Sequence, residues 1–256
     1  MRRREALLRA WASFSSKRSP ILPGDEALPR PGGSTPVTWS AVARKHLFAR
    51  ASSDFEFSLV PQPFCGDIRS ATVFVLALNP GLRPIDYFAE QTVPEFRRAL
   101  LRNLQQRLDP EYPNVFLNPL FAWHSGFTYW HRRFREVLSG LAPEFGSPIE
   151  ALSFLSKNVA VLQLVPYHSC DGRRVRPLVE QMKLESTRLV VEFVSKELVL
   201  RARNDIRVVA LRSPFDWRVA GATAVLKGHA RGGYFTERTN RELTRFLRRI
   251  ARRRTP

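Results

Sequence analysis

Apolar and polar positions along this chain alternate between two periods. Val73-Phe74-Val75-Leu76-Ala77-Leu78 is an unbroken apolar run that stops in Asn79-Pro80-Gly81, the pattern of a strand buried on both faces of a parallel sheet. Residues 158–165, Asn-Val-Ala-Val-Leu-Gln-Leu-Val, predict a second such strand, stopped by Pro166. Residues 206–211 predict a third and Ala222-Thr223-Ala224-Val225-Leu226 a short fourth. Residues 94–108 predict a helix, with Phe96, Leu100, Leu101 and Leu104 on one face and Arg97, Arg98, Arg102 and Arg107 largely off it. Further helices are predicted from about Tyr129 to Leu138 and from Pro177 to about Ala202, proline being tolerated in a first turn. A closing helix is predicted from Thr239, where Thr239 and Glu242 have capping-box spacing and Leu243, Phe246, Leu247 and Ile250 make an apolar stripe. Strands separated by helices predict an α/β, three-layer sandwich: a mostly parallel four-stranded sheet flanked by helices. Residues 109–157 are irregular and rich in aromatics, an insertion or a wall of the site.

Breakers divide the chain. Pro20, Pro23, Pro29, Pro31 and Pro36, with Gly24, Gly32 and Gly33, exclude a regular element over residues 18–37. We read residues 1–40 as a basic N-terminal arm and Pro/Gly-rich linker, and residues 41–256 as one α/β domain. The start, Met1-Arg2-Arg3-Arg4-Glu5-Ala6-Leu7-Leu8, lacks the uninterrupted apolar core of a secretory signal and reads as a short basic helix.

Charge narrows the partner. The formal net charge is +18 over 256 residues, with a pI near 11.2. Only six of the 41 basic residues are lysines, and an arginine bias favours planar, bidentate contacts with phosphate. The expected partner is a polyanion, nucleic acid and DNA first; the alternative is an arginine-rich surface facing only solvent. No apolar stretch approaches the roughly 18 residues of a membrane span, so no membrane association is expected. Cys65 and Cys170 are the only cysteines, too few for a zinc or iron–sulfur site without other ligands. They fit a reduced, cytoplasmic setting. His124, His131 and His168 match no metal-ligand spacing, so neither metal nor other cofactor is expected. His168-Ser169-Cys170-Asp171 holds nucleophile-like types, but triad partners meet in space from separate elements.

The order of motifs then matters. The first strand ends in Leu78-Asn79-Pro80-Gly81 and the second in Gln163-Leu164-Val165-Pro166-Tyr167-His168. The short fourth ends in Lys227-Gly228-His229-Ala230-Arg231-Gly232-Gly233-Tyr234-Phe235, and Thr239-Asn240-Arg241-Glu242-Leu243 opens the last helix. This order resembles the uracil-DNA glycosylase superfamily, above all its Asn-Pro-Gly branches, over residues 70–250. That family has a Gly-x-Asp/Asn/Glu-Pro core in its first motif and a His-Pro-Ser-like loop after the fourth strand. Here Ala77 stands for the leading glycine, and Ala230-Arg231 for Pro-Ser.

The resemblance implies hydrolysis of the N-glycosidic bond of a damaged or deaminated base, extruded from the stack into a pocket. Asn79 would position water and His229 would stabilise the departing base. Gln163 would read the base edge, and Tyr87 or Phe88 would stack on it, with Phe121 and Trp123 as alternatives. Ala77, Leu78, Pro80, Gly81, Tyr167 and His168 would line the site. Arg231, Arg245, Arg248, Arg249 and Arg252 would hold the nucleic-acid backbone. The rival expectation is a catalytically inactive module that binds nucleic acid on the same fold; a more distant one is a small-nucleotide hydrolase on an unrelated doubly wound sheet.

Overall fold

The computed structural model describes residues 3–12, 14, 21–28, 37–44, 55–170, 172, 175, 183–202, 205–211, 214–229 and 233–254. The apolar run after Thr72 forms β2 (Val73–Ala77), buried at every position. It pairs in parallel with β3 (Val159–Gln163) on one side and β4 (Arg207–Ala210) on the other. β5 (Val225–Lys227) extends the parallel sheet beyond β4. The four predicted strands are all present, and the sheet has a fifth. β1 (Phe64–Cys65) lies antiparallel to β3, giving the order β1-β3-β2-β4-β5. Two residues carry no period, so this edge strand leaves no pattern in the sequence. Gly66 ends it at φ +98°, where an added Cβ would come within 2.5 Å of the Val159 carbonyl oxygen.

Helices flank this sheet. α1 (Arg3–Ala12) buries Leu7, Leu8 and Trp11 and packs against α7 (Glu185–Phe193). α7 continues through a wider i→i+5 turn over Val194–Leu198 and a last turn at Val199–Arg201. The expected opening of that helix at Pro177 lies outside the described residues. A short α2 (Trp39–Ala43) packs on α3 (Pro84–Thr92), and α3 is followed by α4 (Pro94–Leu104). The stretch 109–157, expected to be irregular, is largely helical. After turns at Val115–Leu117 and Pro119–Phe121 come α5 (Ser125–Leu141) and α6 (Pro148–Asn158). Ser147 caps α6 by accepting from the Glu150 N–H, and α6 runs straight into β3.

The closing helix α8 (Glu237–Arg254) buries Leu243, Phe246, Leu247 and Ala251 and meets α5 through Asn240, which bonds Glu136, and Arg248, which reaches the Gly140 carbonyl. Its cap is not the predicted Thr239. Thr236 Oγ1 accepts from the Thr239 N–H at 3.1 Å, while Thr239 Oγ1 donates to the Lys227 carbonyl at 2.8 Å and ties the helix to the end of β5. The described N-terminal residues are not a detached arm. Trp11 and Asp25 are fully buried. Asp25 Oδ2 accepts from the Tyr167 hydroxyl at 2.7 Å and its Oδ1 from the Ser186 N–H at 3.0 Å. Burial raises the Asp25 carboxyl above its usual range, against the lowering effect of those donors.

Candidate functional site

The register places Ala77 beside Gln163 at the carboxyl ends of β2 and β3. The two chains stay laced beyond the sheet: Leu164 N donates to Ala77 O at 3.0 Å, Val165 N to Leu78 O at 2.9 Å, and Ser169 N to Pro80 O at 3.2 Å. From β2 the next strand lies to one side, and from β3 the next lies across β2 on the other side. Such a reversal opens a crevice at the carboxyl edge of a parallel sheet. A cavity of about 270 Å³ occupies it, just below the roughly 300 Å³ at which ligand pockets commonly begin.

Asn79, Gly81, Gln163 and His168 line this cavity, together with Ala77, Leu78 and Pro80. Asn79 Nδ2 donates to Ser169 Oγ at 3.0 Å, to the Pro80 carbonyl at 2.9 Å and weakly to the Tyr167 carbonyl at 3.4 Å. The amide is thereby oriented, and the described residues offer its Oδ1 no donor. Gly81 would meet nothing within 4 Å if it carried a Cβ, so its backbone is open on the cavity side. Gln163 is 8% exposed, and its Oε1 is buried with no hydrogen-bond partner. An orphaned buried acceptor costs about 1–3 kcal/mol unless a ligand supplies the donor. His168 Nδ1 donates to the Gly81 carbonyl at 2.7 Å, leaving Nε2 to accept from Gln62 Nε2 at 3.2 Å.

Other expected residues lie elsewhere. Tyr87 is fully buried and donates to Glu56 Oε2 at 2.5 Å, away from the cavity. On α3 its ring turns into a cluster with Val42, Leu59 and Leu82, because the helix phase that exposes Phe88 points Tyr87 inward. Phe88 packs edge-on between Trp39 and Trp123 at 5.4 and 6.2 Å, outside the cavity lining. Phe121 is buried against Phe96. Tyr167 is not at the mouth: it is 1% exposed, with its hydroxyl held by Asp25 and the Leu22 N–H. His229 follows β5 at the same sheet edge as Asn79 but is exposed and lines a neighbouring groove with Arg132, Arg135 and Tyr234. Arg231 lies outside the described residues.

The structure brings in residues that the pattern of the sequence did not single out. Phe116, Tyr129 and Trp130 are the cavity's aromatic walls. Arg133, 8% exposed, stacks on the Tyr129 ring at 3.1 Å and near the Tyr234 ring at 4.8 Å, and its Nε donates to the Gly233 carbonyl at 2.8 Å. Asp86 and His124 also line the cavity. Asp86 sits in the first turn of α3, where its Oδ2 accepts from the Arg83 N–H at 2.6 Å. His124 caps α5 by accepting the Gly126 N–H on Nδ1 at 3.0 Å, which puts the ring proton on Nε2. That Nε2 lies 3.1 Å from Asp86 Oδ1, without the angle of a full hydrogen bond. Phe96 and Phe116 flank the imidazole, with ring centroids at 4.4 and 5.8 Å. The spacing of Asp86 from a proline-opened helix is a capping signal; nothing in the sequence marks His124 for this cavity, because Asp86 and Phe96 are distant from it along the chain.

Behind the cavity, Glu90 is 3% exposed and accepts from the Val60 N–H at 2.8 Å and Arg97 Nη1 at 3.2 Å. Burial pushes its carboxyl up to about 8, outweighing both donors. From the cavity rim a basic surface leads outward. Arg133 is shared with the groove that holds His229, and Glu136 and Asn240 of that groove also line a wider one along α8. Arg241, Arg245, Arg248, Arg249, Arg252 and Arg253 face this wider groove. They are not all equally available: Arg252 pairs in bidentate fashion with Glu144 at 2.8 and 3.0 Å, and Arg248 donates to the Gly140 carbonyl at 2.8 Å. Arg245 and Arg249 are exposed, Arg245 touching Glu242 at 3.3 Å.

Among the described residues no group of three or more His, Cys, Asp or Glu side chains could hold a metal ion, and no helix is long and apolar enough to cross a membrane. No protein-family model, no curated protein and no solved structure matches this chain.

Proposed function

We propose that the protein binds nucleic acid and hydrolyses the N-glycosidic bond of a damaged or deaminated base, as the resemblance to uracil-DNA glycosylases implies. One observation carries the reading. Asn79, Gln163 with its buried, unpaired Oε1, and Phe116 line a single small cavity at the carboxyl edge of a parallel sheet. An extruded base needs a flat apolar wall, an amide to match its edge, and a polar group near the sugar that can orient water. Phe116, Gln163 and Asn79 supply these in that order. The arginine-lined surface running from the cavity rim suits the flanking phosphates.

The test is a single-turnover assay on oligonucleotides carrying uracil, hypoxanthine or a mismatched base. Alkali-induced strand cleavage at the resulting abasic site is expected for at least one of them, and Asn79→Ala should slow its formation with little loss of affinity. No abasic product from any oligonucleotide, with binding intact, would remove catalysis from the account.

A second reading is favoured by the placement of His229. The residue that the family resemblance makes the donor to the departing base is exposed and outside the cavity. On this reading the fold holds nucleic acid without cutting it, and both Asn79→Ala and His229→Ala alter affinity alone.

A further inference from the structure

Asn79 cannot take up a proton at neutral pH and can only orient water, so the reaction proposed above lacks a base. A carboxylate stands in the same cavity. The geometry points to Asp86 as the general base that takes the proton from the attacking water, with His124 as the residue that positions it; this rests on the glycosylase reading.

An ionised carboxylate has about four acceptor directions. At Asp86 the Arg83 N–H occupies one on Oδ2 and the His124 N–H approaches one on Oδ1. Among the described residues no other donor reaches this carboxylate, and Asp86 lines the cavity together with Asn79. Both neighbours present a positive N–H edge to the carboxylate, and Asp86 stands in the first turn of α3, where the helix dipole stabilises an anion. Packing against Phe96 and Phe116 and the Gly126 N–H on Nδ1 fix the orientation in which the His124 ring presents Nε2 to Asp86.

The step balances without a cofactor. The water oxygen forms a bond to the sugar's anomeric carbon as one of its protons passes to Asp86. The carbon–nitrogen bond breaks with its electron pair leaving on the base. The base then takes that proton from Asp86, directly or relayed through solvent, which restores the carboxylate.

Asp86→Asn decides the matter, because an amide oxygen still accepts from the Arg83 N–H. With the oligonucleotide of the uracil, hypoxanthine and mismatch panel that the wild-type protein cleaves, the single-turnover rate should fall at least ~100-fold, the usual scale of general-base loss. Affinity for an uncleavable analogue of that oligonucleotide and the melting temperature should stay near wild type. If Asp86→Asn folds poorly, Asp86→Ser keeps a capping oxygen and makes the same comparison. A variant as fast as wild type overturns the role of Asp86 and leaves the glycosylase reading standing. A wild-type protein that cleaves nothing overturns both.

Discussion

Glu90→Gln turns the buried acid behind the cavity into a measurable pH effect. The Glu90 carboxyl is raised from 4.5 to about 8 because burial penalises its charged form more than Val60 N–H and Arg97 stabilise it. In the unfolded chain the same group ionises near 4.5. Between these limits the folded state keeps a proton that the unfolded state releases. Stability from this group is therefore fully present below about pH 4.5 and is lost as pH rises towards 8. The gap is roughly 3.5 pH units; at about 1.4 kcal/mol per unit, the linked free energy is on the order of 4–5 kcal/mol. Glutamine accepts from the Val60 N–H and never ionises, so Glu90→Gln should lack this loss. Thermal melts from about pH 4.5 to 8.5 should show the two proteins close together at the acid end. They should diverge with rising pH until the variant melts roughly 10 °C higher. Parallel curves across the range would refute the argument, because they would mean that Glu90 ionises in the fold as it does in water.

Packing and charge set three further outcomes. Trp11→Ala removes a fully buried indole from the contact of α1 with the core and should cost about 3–5 kcal/mol in urea unfolding, whereas a cost under ~1 kcal/mol would return residues 3–12 to the role of a surface arm. Gly126→Ala would put a Cβ 2.5 Å from Phe116 Cδ1 and 3.0 Å from His124 Nδ1, so it should cost about 1–3 kcal/mol and weaken oligonucleotide binding as the cavity wall shifts. For nucleic-acid binding titrated against salt, Arg245→Ala with Arg249→Ala should flatten the log–log slope by roughly 0.7–0.9 for each phosphate no longer neutralised. Arg252→Ala should change it less, since Arg252 is already paired with Glu144, and an unchanged slope in the double variant would make these arginines a solvated face.

Local physics explains which parts can be read from the chain. β2, β3 and β4 are legible because strands buried on both faces must be continuously apolar, and Pro80 and Gly81 mark where β2 must end. The α8 stripe is legible because a helix with one buried face repeats at its own period. Gln163, inside the second strand, is expected as a base reader only because the family resemblance implies an amide there, and nothing in the sequence tells that its Oε1 stands buried and unpartnered. β1, the cap of α8 and the burial of α1 depend on partners far along the chain, and a two-residue strand or a lone threonine carries no period. The same holds for the cavity. Asp86 reads as a helix cap and His124 as one histidine among five, and by sequence Tyr87 is no less suited to stacking than Phe116. The tertiary fold brings Asp86 on α3 to His124 at the start of α5, the phase of α3 buries Tyr87, and the turn before α5 delivers Phe116 to the cavity. Periodicity records which face of an element is buried; it does not record which other element covers that face, and the candidate site is made of those pairings.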